Sequence, residues 1–255
     1  MPVQVITDNV ADLPREVTDE YGISVVPLKV SFGDESGAEN MDPDLFYERI
    51  VKSDPLPTTS APTPEEYAEV YRRIVAAGDE AVVITISEKL SATIDVARRA
   101  ASLAGAEGKV SVIDSTRATI AEGFIAIKAA EAARAGATRE QVVAAAQEAI
   151  PRVGFLAAFD TMEYLKRGGR IGAAKALLGS MLNIQPLITI RDGIVAPFGR
   201  TRSRSQALSA LVEYVESYRA VERLAIEHTS CADDAAQLRG MLRERHPDVP
   251  IYESR

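Results

Sequence analysis

The sequence predicts an α/β protein of two domains. Residues 1–151 are predicted to form an open parallel sheet with flanking helices, and residues 152–255 an α+β domain with an antiparallel element. Short apolar runs that alternate with amphipathic segments predict the parallel sheet, because this is the pattern of βαβ crossovers. The pattern changes near Pro151, and the dipeptide Asp192-Gly193 then stands between two β-rich runs, which is typical of a hairpin.

The first domain begins with "VQVITD", which predicts a short buried strand that ends at Asp8. The next β-rich run, "ISVVPLKVSF", is interrupted by Pro27, which indicates an edge or a bulge. Two helices are predicted to follow N-caps at Asp42 and Thr63, since each is followed by proline. The continuous apolar run "AVVITIS" is the strongest strand, and the helix "SATIDVARRAASLAG", the strand "KVSVIDS" and the helix "TIAEGFIAIKAAEAARAG" complete the domain.

The second domain contains a different mixture of elements. Its first segment, "GFLAAFDTMEYLKRGGRIG", predicts a strand that runs into a short helix ending at a glycine pair. The segment "QPLITIRDGIVAPFGRTRS" predicts the two strands of the hairpin. A helix, a strand and a final helix are predicted from "SQALSALVEYVESY", "ERLAIEHTS" and "CADDAAQLRGMLRERHP".

The composition excludes several classes of protein. With 46% hydrophobic and 26% charged residues the chain is globular, and a net charge of −8 argues against nucleic-acid binding. The single cysteine, Cys231, excludes an internal disulfide, and two histidines are too few to form a metal cluster with it. No apolar run reaches the length of a membrane span, and the start has no signal-peptide pattern. We therefore expect a cytoplasmic protein without stable membrane insertion, nucleic-acid partner or cofactor.

Hydroxyl side chains are concentrated where predicted strands end and helices begin. The segments "TDNVAD", "SEKLSAT" and "DSTRAT" follow three strands, and "TTS", residues 58–60, stands between prolines before a helix. Ligands of open parallel sheets bind outside the carboxyl ends of the strands, and helix N-termini attract anions. Such loops could hold a carboxylate or a phosphate. The alternative is that each hydroxyl only caps a helix or forms a turn.

Enzyme motifs are not visible in the sequence. There is no GxGxxG after a strand, no GxxxxGK[ST] and no GxSxG. The strand-end aspartates Asp8, Asp12 and Asp114 could bind a cation or serve a small-molecule kinase or a hydrolase, although the capping and stabilisation of loops explains them better. His228 as a base and Cys231 as an activated thiol are weaker candidates. A regulatory domain that senses an anionic metabolite is a third interpretation.

Two arginine-rich segments could bind a phosphate or an acidic partner. "KRGGRIG" contains Arg170, and "GRTRSRS" contains Arg200 and Arg202. In an acidic protein, such concentrated cations attract negative groups. The alternative is that both segments are solvated loops.

The ordered set of motifs resembles the DegV family of bacterial fatty-acid-binding proteins. The set is "VITDNVADLP", "LPTTSAPTPEEY", "ITISEKLSAT", "VIDSTRATIAEG", "DTMEYLKRGGRIG" and "QPLITIRDGIVAPFGRTRS", and it covers nearly the whole chain. The resemblance implies a carrier without catalytic activity that buries a long-chain fatty acid between two domains. It places the carboxylate on the hydroxyls of Thr59 and Ser91. The remaining residues that it implies for the site are Ser60, Ala92, Thr93 and Arg170.

The resemblance also implies a partner. Some members of the family present the fatty acid to a separate kinase, similar to dihydroxyacetone kinases, which makes acyl phosphate. Arg202 and Arg200 are then expected to face this kinase. Three departures from the family pattern are expected to matter. Ala92 stands where glycine is usual, Ala61 replaces a usual glutamine, and the chain ends at "PIYESR", without the family's usual C-terminal strand and "GTHTGPG"-like segment.

Overall fold

The computed structural model describes residues 1–180 and 184–254. The strands are β1 (Val3–Asp8), β2 (Ile23–Val26), β3 (Lys29–Phe32), β4 (Glu35–Ser36), β5 (Thr58–Ser60), β6 (Glu80–Thr85), β7 (Val110–Asp114), β8 (Ala157–Ala158), β9 (Gln185–Arg191), β10 (Ile194–Thr201), β11 (Leu224–Glu227) and β12 (Ile251–Ser254). The α-helices are α1 (Arg15–Tyr21), α2 (Pro43–Lys52), α3 (Pro64–Ala76), α4 (Thr93–Leu103), α5 (Ile120–Arg134), α6 (Arg139–Ala149), α7 (Glu163–Arg167), α8 (Arg204–Glu216) and α9 (Ala232–Arg245). Short 3-10 helices cover Asn9–Ala11, Ala38–Asn40, Ile150–Arg152 and Gly172–Ser180.

The chain forms two compact units. Unit 1 comprises Met1–Met41 and Pro57–Gly154, and unit 2 comprises Asp42–Leu56 together with the chain from Phe155 onward. The sequence analysis assigns residues 42–56 to the first domain, whereas their packing groups them with the second unit. The predicted α/β class, with a parallel sheet followed by an antiparallel element, is confirmed.

Unit 1 is built on a four-stranded parallel sheet in the order β2-β1-β6-β7. Every residue of β6 from Ala81 to Thr85 is buried, as the continuous apolar run predicts. Side chains alternate along a strand, so Ile6 of β1 packs with α3 and α4, whereas the neighbouring Thr7 faces α5. Tyr67 and Tyr71 of α3 supply the largest buried side chains of this core.

A second, smaller sheet of unit 1 contains the hydroxyl-rich segment. Its order is β4-β3-β5, and β5 pairs antiparallel with β3, with Thr59 opposite Val30. The predicted β-rich run around Pro27 therefore separates into β2 and β3, which belong to different sheets. The turn expected at residues 58–60 is a short strand, because its backbone pairs with a segment that lies far away in the sequence.

Unit 2 contains the predicted hairpin. Strands β9 and β10 pair antiparallel around Asp192 and Gly193, whose φ angles of 51° and 79° are those of a tight hairpin turn. Strand β8 extends this sheet. Strand β11 pairs in parallel with β12, which follows the last helix, so the expectation that the chain lacks a strand after this helix is wrong. Apolar side chains of α8, α9, β11 and β12 pack together: Val212, Leu224, Ile226, Ala235, Leu242 and Ile251.

Candidate functional site

The carboxyl ends of the parallel strands collect an unusual number of buried polar side chains. Since all four strands run in the same direction, the loops after β1, β6 and β7 emerge at the same edge of the sheet. Seven polar side chains at this end of the sheet or on the helices that follow it are fully inaccessible to solvent: Thr7, Asp8, Thr85, Ser87, Thr93, Ser115 and Glu122. Burial of a polar side chain costs free energy unless the group is hydrogen bonded. The hydrogen-bond partners of these side chains therefore indicate their roles.

The loop from β6 to α4 is held by its own backbone and by the loop after β7. The N–H of Ser87 donates to the carbonyl of Arg117 at 2.8 Å, and the N–H groups of Leu90 and Ser91 both donate to the carbonyl of Ser87. The N–H of Glu88 donates to the Asp114 carboxylate at 3.3 Å. These bonds fix Ser91 immediately before α4.

Ser91 is not the N-cap of the helix that follows it. The N-cap of α4 is Ala92, which offers no side-chain acceptor to the N–H groups of the first turn. The hydroxyls of Ser91 and Thr93 lie 2.8 Å apart and form a hydrogen bond. Ser91 is half-buried and Ala92 is exposed. The Ser91 hydroxyl and the N-terminus of α4, which has no side-chain cap, are therefore both accessible to a ligand.

Capping does not explain the Thr58–Ser60 hydroxyls either. Helix α3 is capped by Thr63, whose hydroxyl accepts from the N–H of Glu66 at 3.3 Å, while the Glu66 carboxylate accepts from the N–H of Thr63 at 2.7 Å. Residues 58–60 are exposed. Side chains alternate along β5, so the hydroxyls of Thr59 and Ser60 point to opposite faces of the small sheet.

The strand-end aspartates brace loops. The Asp8 carboxylate accepts from the N–H groups of Val10 and Ile86, both at 3.0 Å, and the Asp114 carboxylate accepts from Thr116 at 2.8 Å. Burial raises the pKa of Asp8 to about 6, although the two backbone hydrogen bonds from Ile86 and Val10 have the opposite effect and lower this pKa. Among the described residues, no group of three or more His, Cys, Asp or Glu side chains could hold a metal ion.

Glu122 of α5 is the functional candidate that the sequence analysis misses. Its side chain is completely buried, and its Oε1 accepts from the Thr7 hydroxyl at 3.0 Å. Burial raises the pKa of Glu122 well above its ordinary value, and the charges of Asp8 and Asp12 raise it further. An acidic residue within the apolar segment "IAEGFIAI" is the signal that could have identified it.

The predicted cationic residues belong to unit 2. Arg170 is exposed, and its Nη1 donates to the carbonyl of Gly168 at 2.8 Å. Arg200 and Arg202 are exposed and line an open cleft of about 600 Å³ along β10 and α8. Arg204 forms ion pairs with Asp234 at 2.7 Å and with Asp160 at 3.3 Å.

An aromatic ladder connects the same two elements of unit 2. The rings of Phe198 on β10 and Tyr214 on α8 meet edge to face with centroids 5.5 Å apart, and Tyr218 continues the row at 5.5 Å. Phe198 is 47% exposed, and Tyr218 is 39% exposed. The sequence candidates His228 and Cys231 lie elsewhere in the unit, after β11 and at the N-cap of α9.

Within residues 1–180 and 184–254, no helix combines the length and the apolar character that a membrane crossing requires.

Residues 2–255 match the sequence model of the DegV family, which carries the description "Uncharacterised protein, DegV family". A DegV domain-containing protein of Streptomyces coelicolor is 38% identical over 253 residues, which cover 97% of this chain and 89% of the relative. Protein DegV of Bacillus subtilis is 31% identical over 260 residues, which cover 100% of this chain and 92% of the relative.

Solved structures of similar proteins have the same fold. A fatty-acid-binding DegV family protein from Thermus thermophilus superimposes with a TM-score of 0.89 at 30% identity, over 100% of this chain and 92% of that chain. The fatty acid binding protein DegV from Bacillus subtilis gives a TM-score of 0.85 at 29% identity, with the same coverage. A protein from Thermotoga maritima with a fatty acid binding function gives 0.84 at 26% identity, again over 100% and 92%.

Proposed function

Because the chain belongs to the DegV family, we propose that it is a fatty-acid-binding protein whose ligand carboxylate is held by the hydroxyls of Thr59 and Ser91. The observation that carries this proposal is the full-length likeness to the Thermus thermophilus fatty-acid-binding protein. Burial of each CH₂ group contributes about 0.8 kcal/mol, so a long acyl chain supplies ample binding energy even after the entropic cost of binding.

Local geometry supports Thr59 and Ser91 as head-group ligands. The helices that follow them are capped at Thr63 and Ala92, so neither hydroxyl is occupied by capping. The hydroxyl of Ser91 adjoins the positive end of α4, which suits a carboxylate. Ser60, Ala92 and Thr93 adjoin these two positions in the sequence, and Arg170 is the cation proposed for the same carboxylate.

We expect the purified protein to contain a long-chain fatty acid. Organic extraction of the full chain followed by mass spectrometry should recover about one fatty acid per protein, because apolar burial makes ligand release slow. The Thr59→Ala/Ser91→Ala double variant, purified in parallel, is the matched control and should retain less. A protein that is empty and does not take up added fatty acid would refute the proposed function.

We further propose that the chain presents its ligand to a separate cytoplasmic kinase, of the type that resembles dihydroxyacetone kinases, for acyl phosphate formation. Exposed Arg200 and Arg202 support this role in a protein of net charge −8, because both line the same cleft along β10 and α8 and concentrate positive charge there. The enzyme alternative is less well supported, since Asp8 and Asp114 are engaged with backbone N–H groups.

Substitution of Arg202 should impair phosphorylation without affecting ligand binding. We expect Arg202→Ala to lower the rate of kinase-dependent acyl phosphate formation several-fold and to weaken its dependence on salt, because electrostatic steering acts mainly on the association rate. The measurement uses purified kinase, ATP and magnesium, with the chain alone as the control for intrinsic turnover.

Arg191→Ala is the matched surface control for this experiment, since Arg191 is an exposed arginine at the other end of the same hairpin. It should leave the rate unchanged. Loss of fatty acid binding in Arg202→Ala would instead place this arginine in the ligand site, and acyl phosphate formed by the chain alone would overturn the carrier role.

A further inference from the structure

The loop between β7 and α5, residues 115–119, is hydrogen bonded to the loop that carries Ser91. We propose that Arg117 is a positioning residue, whose side chain holds the 115–119 loop in the conformation that fixes Ser91 for ligand binding. Arg117 is not among the head-group residues proposed above. The consequence for ligand affinity rests on the proposed function, whereas the consequence for the backbone does not.

The backbone of the 115–119 loop is strained at two positions. Thr116 and Thr119 have φ angles of 51° and 58°. A β-branched residue adopts such angles only where the surrounding structure maintains them. Ser115 provides part of this support, because its hydroxyl accepts from the N–H of Arg117 at 3.0 Å and donates to the carbonyl of Arg117 at 3.1 Å. The conformation of the loop therefore depends on its own side chains.

The Arg117 guanidinium connects this loop to the end of α6. Its Nη1 donates to the carbonyl of Thr116 at 3.0 Å and to the hydroxyl of the same residue at 2.9 Å. Its Nη2 donates to the carbonyl of Ile150 at 3.0 Å, and its Nε donates to the carbonyl of Val153 at 3.3 Å. Ile150 is the C-cap of α6, where the negative end of the helix dipole favours a cation. One side chain thus joins the strained residue Thr116 to a helix C-terminus.

The backbone of Arg117 connects the loop to Ser91. The Arg117 carbonyl accepts from the N–H of Ser87 at 2.8 Å. The Ser87 carbonyl in turn accepts from the N–H groups of Leu90 and Ser91, at 2.9 Å and 3.1 Å. Ser87 is completely buried, so its N–H cannot exchange this partner for water without cost. Displacement of the Arg117 carbonyl would therefore displace the turn that ends at Ser91.

The test is Arg117→Met, which keeps an unbranched side chain but removes every donor. It should bind hexadecanoic acid about tenfold more weakly, the effect expected when a hydrogen bond to a carboxylate is lost. Arg117→Lys keeps the charge, but one ammonium group cannot replace the planar fork that contacts three carbonyls, so we expect an intermediate loss. If Arg117→Met does not fold, Arg117→Lys is judged by the same criteria. Unchanged affinity in a folded Arg117→Met protein would overturn the proposal.

Arg139→Met is the matched control. Arg139 is a half-buried arginine of α6 that also donates to a backbone carbonyl, that of Gly108, and it pairs with Glu80 at 3.6 Å. These partners lie at the amino ends of β7 and β6, the sheet edge opposite to Ser91. Arg139→Met should lower the melting temperature and leave the affinity unchanged. Equal losses of affinity in Arg117→Met and Arg139→Met would reduce Arg117 to a general contribution to stability and would contradict the proposal.

Double variants separate positioning from general destabilisation. In the Ser91→Ala protein, Arg117→Met should cause little further loss of affinity, because the hydroxyl that it positions is absent. In the Thr59→Ala protein, Arg117→Met should keep its effect, since Thr59 lies on β5 and Ser91 still binds the carboxylate. Additive effects of Arg117→Met and Ser91→Ala would show that Arg117 does not act through Ser91.

Hydrogen exchange tests the backbone connection without ligand. The amides of Ser87, Leu90 and Ser91 should exchange several-fold faster in Arg117→Met than in the unmodified protein, and at the unmodified rate in Arg139→Met. Unchanged exchange of these amides in Arg117→Met would reject the positioning role. If the unmodified protein does not bind hexadecanoic acid, the proposed function fails, and exchange alone decides the role of Arg117.

Discussion

Replacement of Thr59 or Ser91 by alanine is expected to lower the affinity for a long-chain fatty acid about tenfold or more. Each substitution removes a hydrogen bond to a carboxylate, which contributes roughly 1.5–3 kcal/mol, and about 1.4 kcal/mol corresponds to a factor of ten. Stability should change little, because the capping residues of α3 and α4 are Thr63 and Ala92. The measurement is a fatty-acid titration beside a thermal melt for each variant.

Three matched variants separate recognition from capping. Thr58→Ala and Ser60→Ala remove hydroxyls from the opposite face of β5, so their effect on binding should be smaller. Thr63→Ala should show the reverse pattern, with a loss of about 0.5–2 kcal/mol of stability and an unchanged affinity. The Thr59→Ala/Ser91→Ala double variant should be less than additive if both donors serve one carboxylate. Unchanged affinity in both single variants would remove these hydroxyls from the head-group site.

The features that sequence predicted well are those that depend on local chemistry. The apolar run of β6, the hairpin turn at Asp192 and Gly193, and the cap at Thr63 follow from residues that are adjacent in the chain. The hydroxyl-rich loops were predicted to meet at one sheet edge, and the parallel pairing of β1, β6 and β7 confirms this for the loops that follow them.

Features that depend on distant partners were not predicted. The segment Thr58–Ser60 has no β-rich pattern of its own and becomes a strand only because β3 provides a backbone to pair with. The burial of Glu122 and its hydrogen bond depend on Thr7, which lies more than a hundred residues earlier. The grouping of residues 42–56 with unit 2 likewise depends on packing, which a helix pattern does not specify.

Two helical glycines should respond in opposite directions to the same substitution. Gly123 of α5 follows Glu122, and a Cβ atom there would lie 2.6 Å from the carbonyl oxygen of Ala11 and 2.7 Å from Leu13 Cδ2. Such overpacking destabilises the folded state by about 1–3 kcal/mol. This loss exceeds the stabilisation that the higher helix propensity of alanine provides. We expect Gly123→Ala to lower the free energy of unfolding by that amount and to displace the loop after β1.

Gly240 of α9 is the matched control, because no atom outside its chain neighbours and the backbone of its own helix lies within 4 Å of the position of its Cβ. Gly240→Ala should therefore raise stability, by up to about 1 kcal/mol, as alanine does in an open helix interior. The free energies of unfolding of both variants are compared by urea unfolding. The comparison requires that the dependence of this free energy on urea concentration is the same in both variants. The contrast matters for the site, because α5 can bring Glu122 against Thr7 only if the next residue lets the loop after β1 approach the helix. A gain in stability for both variants would contradict that close approach, and with it the packing that buries Glu122.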